Sequence, residues 1–321
     1  MPYKHYNNMK AITISQFGAP EVLQQVDLPV PEIKDDEVLI QVKAISINPV
    51  DIKTRLGKGM AGRLKGFEPL ILGWDISGVV SSVGTAVSTF KPGDEVFGMV
   101  NFPGHGKAYA EYVAAPAVQL ALKPANISHE EAAAATLAAL TAWQALVKHA
   151  NIQAGSKVLI HAAAGGVGHF AVQIAKRLGA HVTGTSSAAN RDFVLGLGAD
   201  EHIDYKAQPF EQVAKDMDFV LDAIGGDMID RSLEVIKPGG TLISIPSGLH
   251  ESVTEKAKAK GIKGYFILVA SDGTDMQQLA ELLADGRLKA HVSKVFAFEE
   301  MGAAHEQIAS GRTVGKVAIK V

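Results

Sequence analysis

The sequence predicts a two-domain protein that joins an all-β domain to a doubly wound α/β domain. From Lys10 to about Leu122, short β-like runs are separated by Gly, Pro and Asp, a spacing typical of a barrel or sandwich. Beyond Ser128, apolar strand-length runs alternate with helix-length segments, as in a parallel sheet. A length of 321 residues also favours two domains over one.

Strand-length runs dominate the α/β part of the chain. Six of them in alternation with helical segments predict a Rossmann-type, doubly wound parallel sheet. The six strands are predicted at residues 157–161, 181–185, 201–204, 218–222, 240–245 and 264–269. Before them, Ser128-His-Glu-Glu131 is a capping box that we expect to open one long Ala-rich helix reaching about Ala150.

The C-terminal segment is predicted to return to the first domain. After Ser271 we expect a helix at 275–285, a β run from Val292 to Phe298, a helix at 299–310 and a last strand from Gly315 to Ile319. The resulting division is 1–127 for the β domain, with 1–8 as a loose extension, 128–270 for the α/β domain and 271–321 for the return.

Composition excludes several classes of partner. A formal net charge of −3 gives no electrostatic reason to expect nucleic acid or a membrane surface. No apolar stretch is long enough to span a bilayer. The chain has no cysteine, which removes disulfides, thiolate nucleophiles and Cys-based zinc sites and favours a cytoplasmic location.

A glycine turn lies between the predicted strand Val158–Ile160 and an amphipathic helix. Its sequence, Ala163-Ala-Gly-Gly-Val-Gly168, is an A-x-G-x-x-G form of the dinucleotide fingerprint. Gly165 lets the backbone approach a phosphate, Gly168 lets the helix pack tightly on its strand, and the helix N-terminus supplies free N–H groups. We therefore expect Gly165, Gly166, Val167 and Gly168 to bind a dinucleotide; the alternative is a purely structural turn.

The end of the second α/β strand favours NADPH over NADH. NAD enzymes usually place a carboxylate here for the ribose hydroxyls, but residues 181–191 contain no acidic residue, and the first one is Asp192. Hydroxyl donors for a 2′-phosphate are offered by Thr185, Ser186 and Ser187, and Arg191 offers a positive charge. The alternative is that these residues only begin a solvated helix.

Several motifs together resemble the medium-chain dehydrogenase/reductase superfamily, in its zinc-free, quinone oxidoreductase-like branch. The resemblance covers Met9 to Val321, and its motifs are Ile47-Asn-Pro-Val-Asp51, Gly73-Trp-Asp-Ile-Ser-Gly78, Lys91-Pro-Gly-Asp-Glu-Val96, Tyr109-Ala-Glu-Tyr112, Leu140-Thr-Ala-Trp143, the glycine turn and Gly315-Lys-Val317. It implies a GroES-like β-barrel domain, a Rossmann domain inserted before the C-terminal return, and NADPH as cofactor. Homodimers are common in this family, so a homodimer is expected.

The resemblance also predicts that no metal is bound. Asn48 and the pair Trp74-Asp75 stand where zinc alcohol dehydrogenases of the superfamily carry metal ligands, and Trp and a neutral amide are poor ligands for zinc. The eleven histidines show no metal-binding spacing, so we expect them at the surface or in capping roles.

Further cofactor contacts are implied by the resemblance, position by position. Tyr205 is expected beside adenine, with an ordinary exposed strand-end tyrosine as the alternative. Lys316 is expected at a phosphate or the ribose, with solvation at a strand edge as the alternative. Thr141 and Val269 match nicotinamide-side positions. Further cofactor contacts are expected at the C-terminal ends of two strands, from Ile224, Ser244, Ile245 and Pro246.

For the chemistry, the segment Asn48–Lys53 is most similar to enone and alkenal reductases. Hydride addition to an enone creates an enolate, and Lys53 is the candidate for stabilising it, for binding NADPH, or for both; the alternative is a solvated barrel lysine. Asn48 is a candidate polar contact near the nicotinamide or substrate. Asp51 is expected to order the loop or to pair with Lys53, and Tyr109 and Tyr112 to form core or pocket walls.

Three functions are consistent with these observations. The leading hypothesis is a zinc-independent NADPH-dependent reductase of quinones or α,β-unsaturated carbonyls. The others are an enoyl-thioester reductase and a non-catalytic NADPH-binding structural or sensor protein. The Lys- and Ala-rich segment His250–Gly264 is expected either to cover the cleft or to be solvated.

Overall fold

The structure is a computed structural model that describes residues 8–246 and 250–321, without the side chains of residues 250–252. The predicted loose extension at residues 1–8 lies almost wholly outside these residues, and Asn8 already belongs to a strand. The strands are β1 (Asn8–Ile14), β2 (Gln24–Pro29), β3 (Glu37–Ile47), β4 (Leu70–Ile71), β5 (Asp75–Val83), β6 (Glu95–Met99), β7 (Tyr112–Pro116), β8 (Ala121–Leu122), β9 (Lys157–Ile160), β10 (His181–Ser186), β11 (Glu201–Asp204), β12 (Met217–Asp222), β13 (Ile236–Ser244), β14 (Lys263–Phe266), β15 (Val292–Ala297) and β16 (Lys316–Lys320).

The helices are mostly short and lie between the strands. They are α1 (Pro49–Arg55), α2 (Ala61–Leu64), α3 (His129–Ala134), α4 (Leu137–Trp143), α5 (Gly166–Arg177), α6 (Arg191–Gly196), α7 (Met228–Leu233), α8 (His250–Ala259), α9 (Gly273–Ala284) and α10 (Met301–Ala309). A π-helical turn, Gln144–His149, follows α4.

The chain divides into two compact units. The first unit runs to Leu140 and adds Ala270–Gly286 and Ala290–Val321, and the second comprises Thr141–Val269 with Arg287–Lys289. The C-terminal strands β15 and β16 therefore belong to the first unit, where β16 pairs with β3.

The first unit is built on two sheets. The larger has the strand order β15-β16-β3-β5-β6-β8, and β7 also pairs with β3; the smaller has the order β2-β1-β4. Because β3 runs antiparallel to both β5 and β16, its C-terminal end lies beside the first residues of those two strands. Ser46 is paired with Asp75 and Ile47 with Val317, and this register builds the polar cluster described below.

The second unit confirms the predicted doubly wound sheet. All six strands are parallel in the order β11-β10-β9-β12-β13-β14, so the order reverses at β9, where the first strand lies between the second and fourth. The sixth strand ends at Phe266 rather than at Val269. A 3₁₀ turn, Phe210–Gln212, links β11 to β12, so that connection contains no α-helix.

The prediction of one long helix after Ser128 is wrong, because the helix is interrupted after Ala134. The capping box forms, with the Glu131 N–H donating to Ser128 Oγ at 3.1 Å and the Ser128 N–H to Glu131 Oε2 at 2.8 Å, but α3 ends at Ala134. In a continuous helix the Leu137 N–H would donate to Ala133 O. Instead the Thr136 hydroxyl donates to Ala133 O at 2.8 Å, and the Leu137 N–H turns to the buried carboxylate of Asp75 at 3.1 Å.

The Lys- and Ala-rich segment after residue 250 is not simply solvated. It forms α8, whose Val253 and Ala257 side chains are fully buried against the sheet. Gly264 on β14 permits this packing, because a Cβ there would collide with Ala257. The lysines lie on the exposed face of α8.

Candidate functional site

The glycine turn of the second unit packs as tightly as its sequence predicts. After β9, Ala162 adopts a left-handed conformation with φ of 51°, and its carbonyl accepts from the Gly165 N–H at 2.8 Å. A Cβ on Gly168 would collide with Ala162 O and lie 2.8 Å from Ala163 Cα. Only glycine therefore lets α5 begin so close to the end of β9.

The N-terminus of α5 suits a pyrophosphate. The first N–H groups of a helix, here those of Gly166, Val167 and Gly168, have no intrahelical acceptor. Within the described part of the chain no side chain caps them, and Gly165, Gly166 and Val167 are half-buried rather than covered. Free N–H groups and the positive end of the helix dipole together bind phosphate oxygens. These residues fit a dinucleotide.

The carboxyl ends of β10 and β11 bring together Ser186, Ser187, Arg191 and Tyr205. The Tyr205 N–H donates to Ser186 O at 3.2 Å, and the Tyr205 side chain is 57% exposed. Arg191 is exposed and, among the residues that the structure describes, pairs only with its neighbour Asp192, at 3.4 Å. Arg191 and Tyr205 are accessible, whereas the Ser186 side chain is buried and its hydroxyl hydrogen-bonds with His202 Nε2 at 2.8 Å. No acidic residue of β10 faces the group.

Thr185, in contrast, points away from this group. Its side chain is buried and its hydroxyl hydrogen-bonds with His161 Nδ1 at 3.1 Å. The expected phosphate contact from this hydroxyl therefore has no support in the structure, because alternate side chains of a strand face opposite sides of the sheet.

Asp222, which sequence reasoning missed, organises the loop after β12. Its Oδ1 accepts the N–H groups of Ile224 and Gly225, both at 2.9 Å, and its Oδ2 accepts the Ser244 hydroxyl at 2.8 Å. Ile224 is thereby presented at the surface, 52% exposed, whereas the Ser244 side chain is fully buried. An acid ending a strand was the available signal for this role.

The other expected cofactor residues of the second unit are Ile245, Pro246, Val269 and Thr141. Ile245 and Pro246 follow β13 and are half-buried, and the Ile245 N–H donates to Asp222 O at 3.0 Å. Val269 and Thr141 are both buried, Val269 three residues beyond β14 and Thr141 inside α4.

The prediction that histidines lie at the surface or cap helices is wrong for several of them. His161, His169 and His305 are fully buried. His161 hydrogen-bonds on both ring nitrogens, to Thr185 and to Ser232 Oγ at 3.0 Å, and burial lowers its pKa to about 4. A neutral imidazole with both nitrogens satisfied is tolerated in a core.

In the first unit, a buried polar cluster surrounds the start of α1. Asn48 follows β3, Asp75 begins β5 and Lys316 begins β16, so the sheet register brings the three together. Asn48 Nδ2 donates to Asp75 Oδ2 at 2.6 Å, and Lys316 Nζ donates to Asn48 Oδ1 and to Ile47 O, the latter at 3.1 Å.

Asp51 joins this cluster from the first turn of α1. Its Oδ2 accepts the Asn48 N–H at 2.6 Å, which confirms the expectation that it orders the loop. Burial raises the pKa of Asp51 to about 8, with the nearby Asp75 as a further cause in the same direction. The Lys316 ammonium and the Asp75 carboxylate compensate each other, although burial raises the pKa of Asp75 and lowers that of Lys316.

Lys53, the expected catalytic residue, is the fifth residue of α1 and half-buried. Tyr109 is a core residue, as expected: it is fully buried, and its hydroxyl hydrogen-bonds with His305 Nε2 at 2.9 Å. Tyr112 is half-buried. The solvated alternative for Lys316 is wrong, because only 2% of that residue is exposed.

Trp74, at a position where zinc alcohol dehydrogenases carry a metal ligand, has a structural role here. Trp74 is fully buried and its Nε1–H donates to Gly104 O at 2.7 Å. Across residues 8–246 and 250–321, no three His, Asp or Glu side chains are grouped so as to hold a metal ion. In the same ranges no helix has the length and apolar character needed to cross a membrane.

Comparison with known proteins places this chain in a family. Residues 34–125 match the family described as alcohol dehydrogenase GroES-like domain, and residues 197–319 match zinc-binding dehydrogenase. The chain is 35% identical to the 2-methylene-furan-3-one reductase of Solanum lycopersicum over 98% of this chain and 79% of that protein. It is 36% identical to the chloroplastic NADPH-dependent alkenal/one oxidoreductase of Arabidopsis thaliana over 97% and 79%.

Among solved structures, the quinone oxidoreductase from Coxiella burnetii aligns with a TM-score of 0.93 and 39% identity, covering 98% of this chain and 99% of that one. The sheet topology of both units agrees with these matches. The chain therefore belongs to the medium-chain dehydrogenase/reductase family, with a GroES-like domain and a Rossmann-type domain.

Proposed function

We propose that this protein is an NADPH-dependent reductase of quinones or α,β-unsaturated carbonyls that works without zinc. The observation that carries the proposal is the uncapped N-terminus of α5 behind a turn that only Gly168 permits. Relatives named as an alkenal/one oxidoreductase and a furanone reductase support the substrate class.

The preference for NADPH rests on the end of β10. Ser187 and Arg191 follow the strand with no carboxylate before Asp192, and an exposed guanidinium suits a 2′-phosphate dianion. Tyr205 lies beside Ser186 and offers a ring face for adenine. Thr185 and Ser186 are not part of the proposed phosphate contact, because both side chains are buried and their hydroxyls hydrogen-bond with His161 and His202.

When bound, the nicotinamide supplies the hydride. Lys53 then supplies a positive charge for the oxygen of the substrate, where negative charge develops during reduction. The chain offers α1 as a rigid support for this lysine, since Asp51 and Asn48 hold its first turn. A mechanism without zinc is supported by Asn48 and Asp75, which hydrogen-bond to each other while Lys316 donates to Asn48, because this arrangement leaves neither disposed as a metal ligand.

Steady-state turnover of a substrate panel tests the proposal. The panel contains enones, alkenals, quinones and an enoyl thioester, each with NADPH and with NADH, in protein purified with a chelator. We expect turnover of enones or quinones with NADPH. No turnover of any compound in the panel, or activity that requires added zinc, would contradict the proposal. Tight NADPH binding without turnover would favour a non-catalytic role.

Replacing Arg191 tests cofactor choice. A charged hydrogen bond to phosphate is worth about 1.5–3 kcal/mol, reduced by solvent at an exposed site, so we expect Arg191→Ala to raise the Kd for NADPH roughly tenfold and leave that for NADH unchanged. Arg177→Ala is the matched control, since Arg177 is an exposed arginine of the same unit at the far end of α5. Equal effects of the two substitutions would refute the assignment.

Two further expectations, a homodimer and a cytoplasmic location, stay predictions. Analytical ultracentrifugation tests the first and fractionation of the source cells the second.

A further inference from the structure

The first turn of α1 is held by buried charged groups instead of by solvent. Asn48, Asp75 and Lys316 come from three different strand ends and are between 0% and 2% exposed. A Lys–Asp pair at this depth is costly to desolvate and is tolerated only when its hydrogen bonds are made. We call these three residues the α1 clamp.

The clamp admits only one orientation of the Asn48 side chain. An ammonium can only donate hydrogen bonds and an ionised carboxylate can only accept them. Lys316 therefore requires Asn48 Oδ1, and Asp75 requires Asn48 Nδ2, which is the arrangement observed. A flipped amide would set two donors against each other at one end and two acceptors at the other.

The ammonium of Lys316 makes two hydrogen bonds and lies beside a carboxylate. It has three N–H groups, and it donates to Asn48 Oδ1 and Ile47 O while lying 3.9 Å from Asp75 Oδ2. Within the described residues these three acceptors surround it, and the side chain is 3% exposed. A phosphate or ribose contact would require Lys316 to abandon the buried carboxylate of Asp75.

The clamp acts directly on α1. The Asn48 backbone N–H donates to Asp51 Oδ2, and the Asn48 side chain lies immediately before Pro49, the first residue of the helix. Lys53 is one turn farther along the same seven-residue helix and is half-buried, in contrast to the buried clamp. A shift of the first turn therefore moves Lys53.

We propose that Asn48, Asp75 and Lys316 are positioning residues that set the location of Lys53 through α1, and that none of them contacts the cofactor or the substrate. The catalytic consequence rests on the role proposed for Lys53 above. The placement of Lys53 itself does not depend on that role and is tested separately.

A charge-balanced double substitution, Asp75→Asn with Lys316→Met, is the test variant. Replacing both members of a buried ion pair with neutral side chains is commonly neutral for stability, whereas removing one member leaves an uncompensated buried charge. Glu95→Gln with Lys123→Met is the matched control, because Lys123 is a nearly buried lysine of the same unit paired with Glu95 at 3.1 Å. Asn48→Ala is a second variant that breaks the clamp without changing charge.

The first measurement is the acylation rate of Lys53 in cofactor-free protein, followed by peptide mass spectrometry. The reactivity of a lysine depends on its surroundings, so we expect the rate for Lys53 to change at least threefold in the test variant and in Asn48→Ala, and by less than about 1.5-fold in the control. Circular dichroism and thermal melting verify that each variant is folded. Unchanged Lys53 acylation in folded clamp variants overturns the proposal.

The second measurement is a double-mutant cycle with Lys53→Met. A misplacement of about 1 Å can cost up to a hundredfold, so we expect the test variant to lower kcat/KM at least tenfold. In the Lys53→Met background the same change should alter kcat/KM and the Kd for NADPH by less than about twofold, because coupled residues are not additive. A rise in the NADPH Kd that persists without Lys53 would instead assign Lys316 to the cofactor and overturn the proposal.

Failure of the two proposals is distinguishable. If the wild-type protein reduces none of the panel but Lys53 acylation responds to the clamp, the proposed function fails and the clamp stands. If the protein is an active reductase and Lys53 acylation does not respond, the clamp fails and the function stands.

Discussion

Gly168→Ala tests whether the start of α5 must lie against the end of β9. A Cβ at this position would be 2.8 Å from Ala163 Cα and closer still to Ala162 O, where ordinary contact begins at 3.4 Å. All three nearest atoms belong to the backbone, which does not move aside as a flexible side chain does. The helix must therefore withdraw by about 0.6 Å or more.

The expected cost follows from this geometry. Overpacking a close-packed region costs about 1–3 kcal/mol, partly offset by the better helix propensity of alanine at about 0.5–1 kcal/mol, for a net loss of roughly 1–2 kcal/mol. For a protein unit of this size that lowers Tm by about 2–8 °C. The free N–H groups of α5 move with the helix, so we expect the Kd for NADPH to rise about tenfold.

Two other glycines of the same unit give a graded control. Gly165→Ala places its Cβ 3.2 Å from Ala162 O, a contact that a small shift relieves, and should cost less than Gly168→Ala. Gly196→Ala meets no atom within 4 Å and lies in α6, so it should be neutral or slightly stabilising. Thermal melting and fluorescence titration with NADPH measure the series. Equal effects of Gly168→Ala and Gly196→Ala in both assays would refute a steric requirement for glycine at position 168.

Three further predictions concern buried polar groups. Burial raises the pKa of Asp51 from 3.8 to about 8, so the folded state keeps a proton that the unfolded state releases, and stability falls as pH rises between those values; Asp51→Asn should flatten this slope in urea unfolding at about pH 5 and 8, and an unchanged slope would contradict it. Burial lowers the pKa of His161 from 6.5 to about 4, so stability is lost as pH falls through that window. The free energy of unfolding should therefore fall less between about pH 6.5 and 5 for His161→Gln than for the wild-type protein, and an equal fall in urea unfolding would contradict this. Tyr109→Phe leaves His305 Nε2 without its 2.9 Å partner and should cost about 1–3 kcal/mol, whereas Tyr205→Phe, at an exposed ring, should cost less than about 0.5 kcal/mol.

Local patterns predicted the second unit well. The first strand, β9, carries the apolar run Val158–Ile160, and the glycine turn after it carries its own steric reason in the sequence, so the strand–turn–helix unit needs little information from elsewhere. The break after α3 was not predictable in the same way. It arises because the Leu137 N–H finds Asp75, a residue 62 positions earlier, and no local pattern reports that partner.

The candidate site likewise has features that a local segment predicts and features that depend on distant residues. The motif alone predicts a dinucleotide site at the glycine turn, because the spacing of Gly165 and Gly168 is a property of one short segment. The sequence alone could not assign the direction of Thr185 or the burial of His161, since each depends on side chains of neighbouring strands.

The family, the alternation of strands and helices, and the turn that suits a dinucleotide phosphate could all be inferred from the residues alone. The surroundings of Asn48 could not, because they depend on the tertiary fold. Lys316 lies 268 residues away from it in the chain, and the two meet because β3 runs antiparallel to β16 and ends beside its start. Pairing register is set by the whole sheet, so an ion pair at its end is a property of the fold and not of any segment.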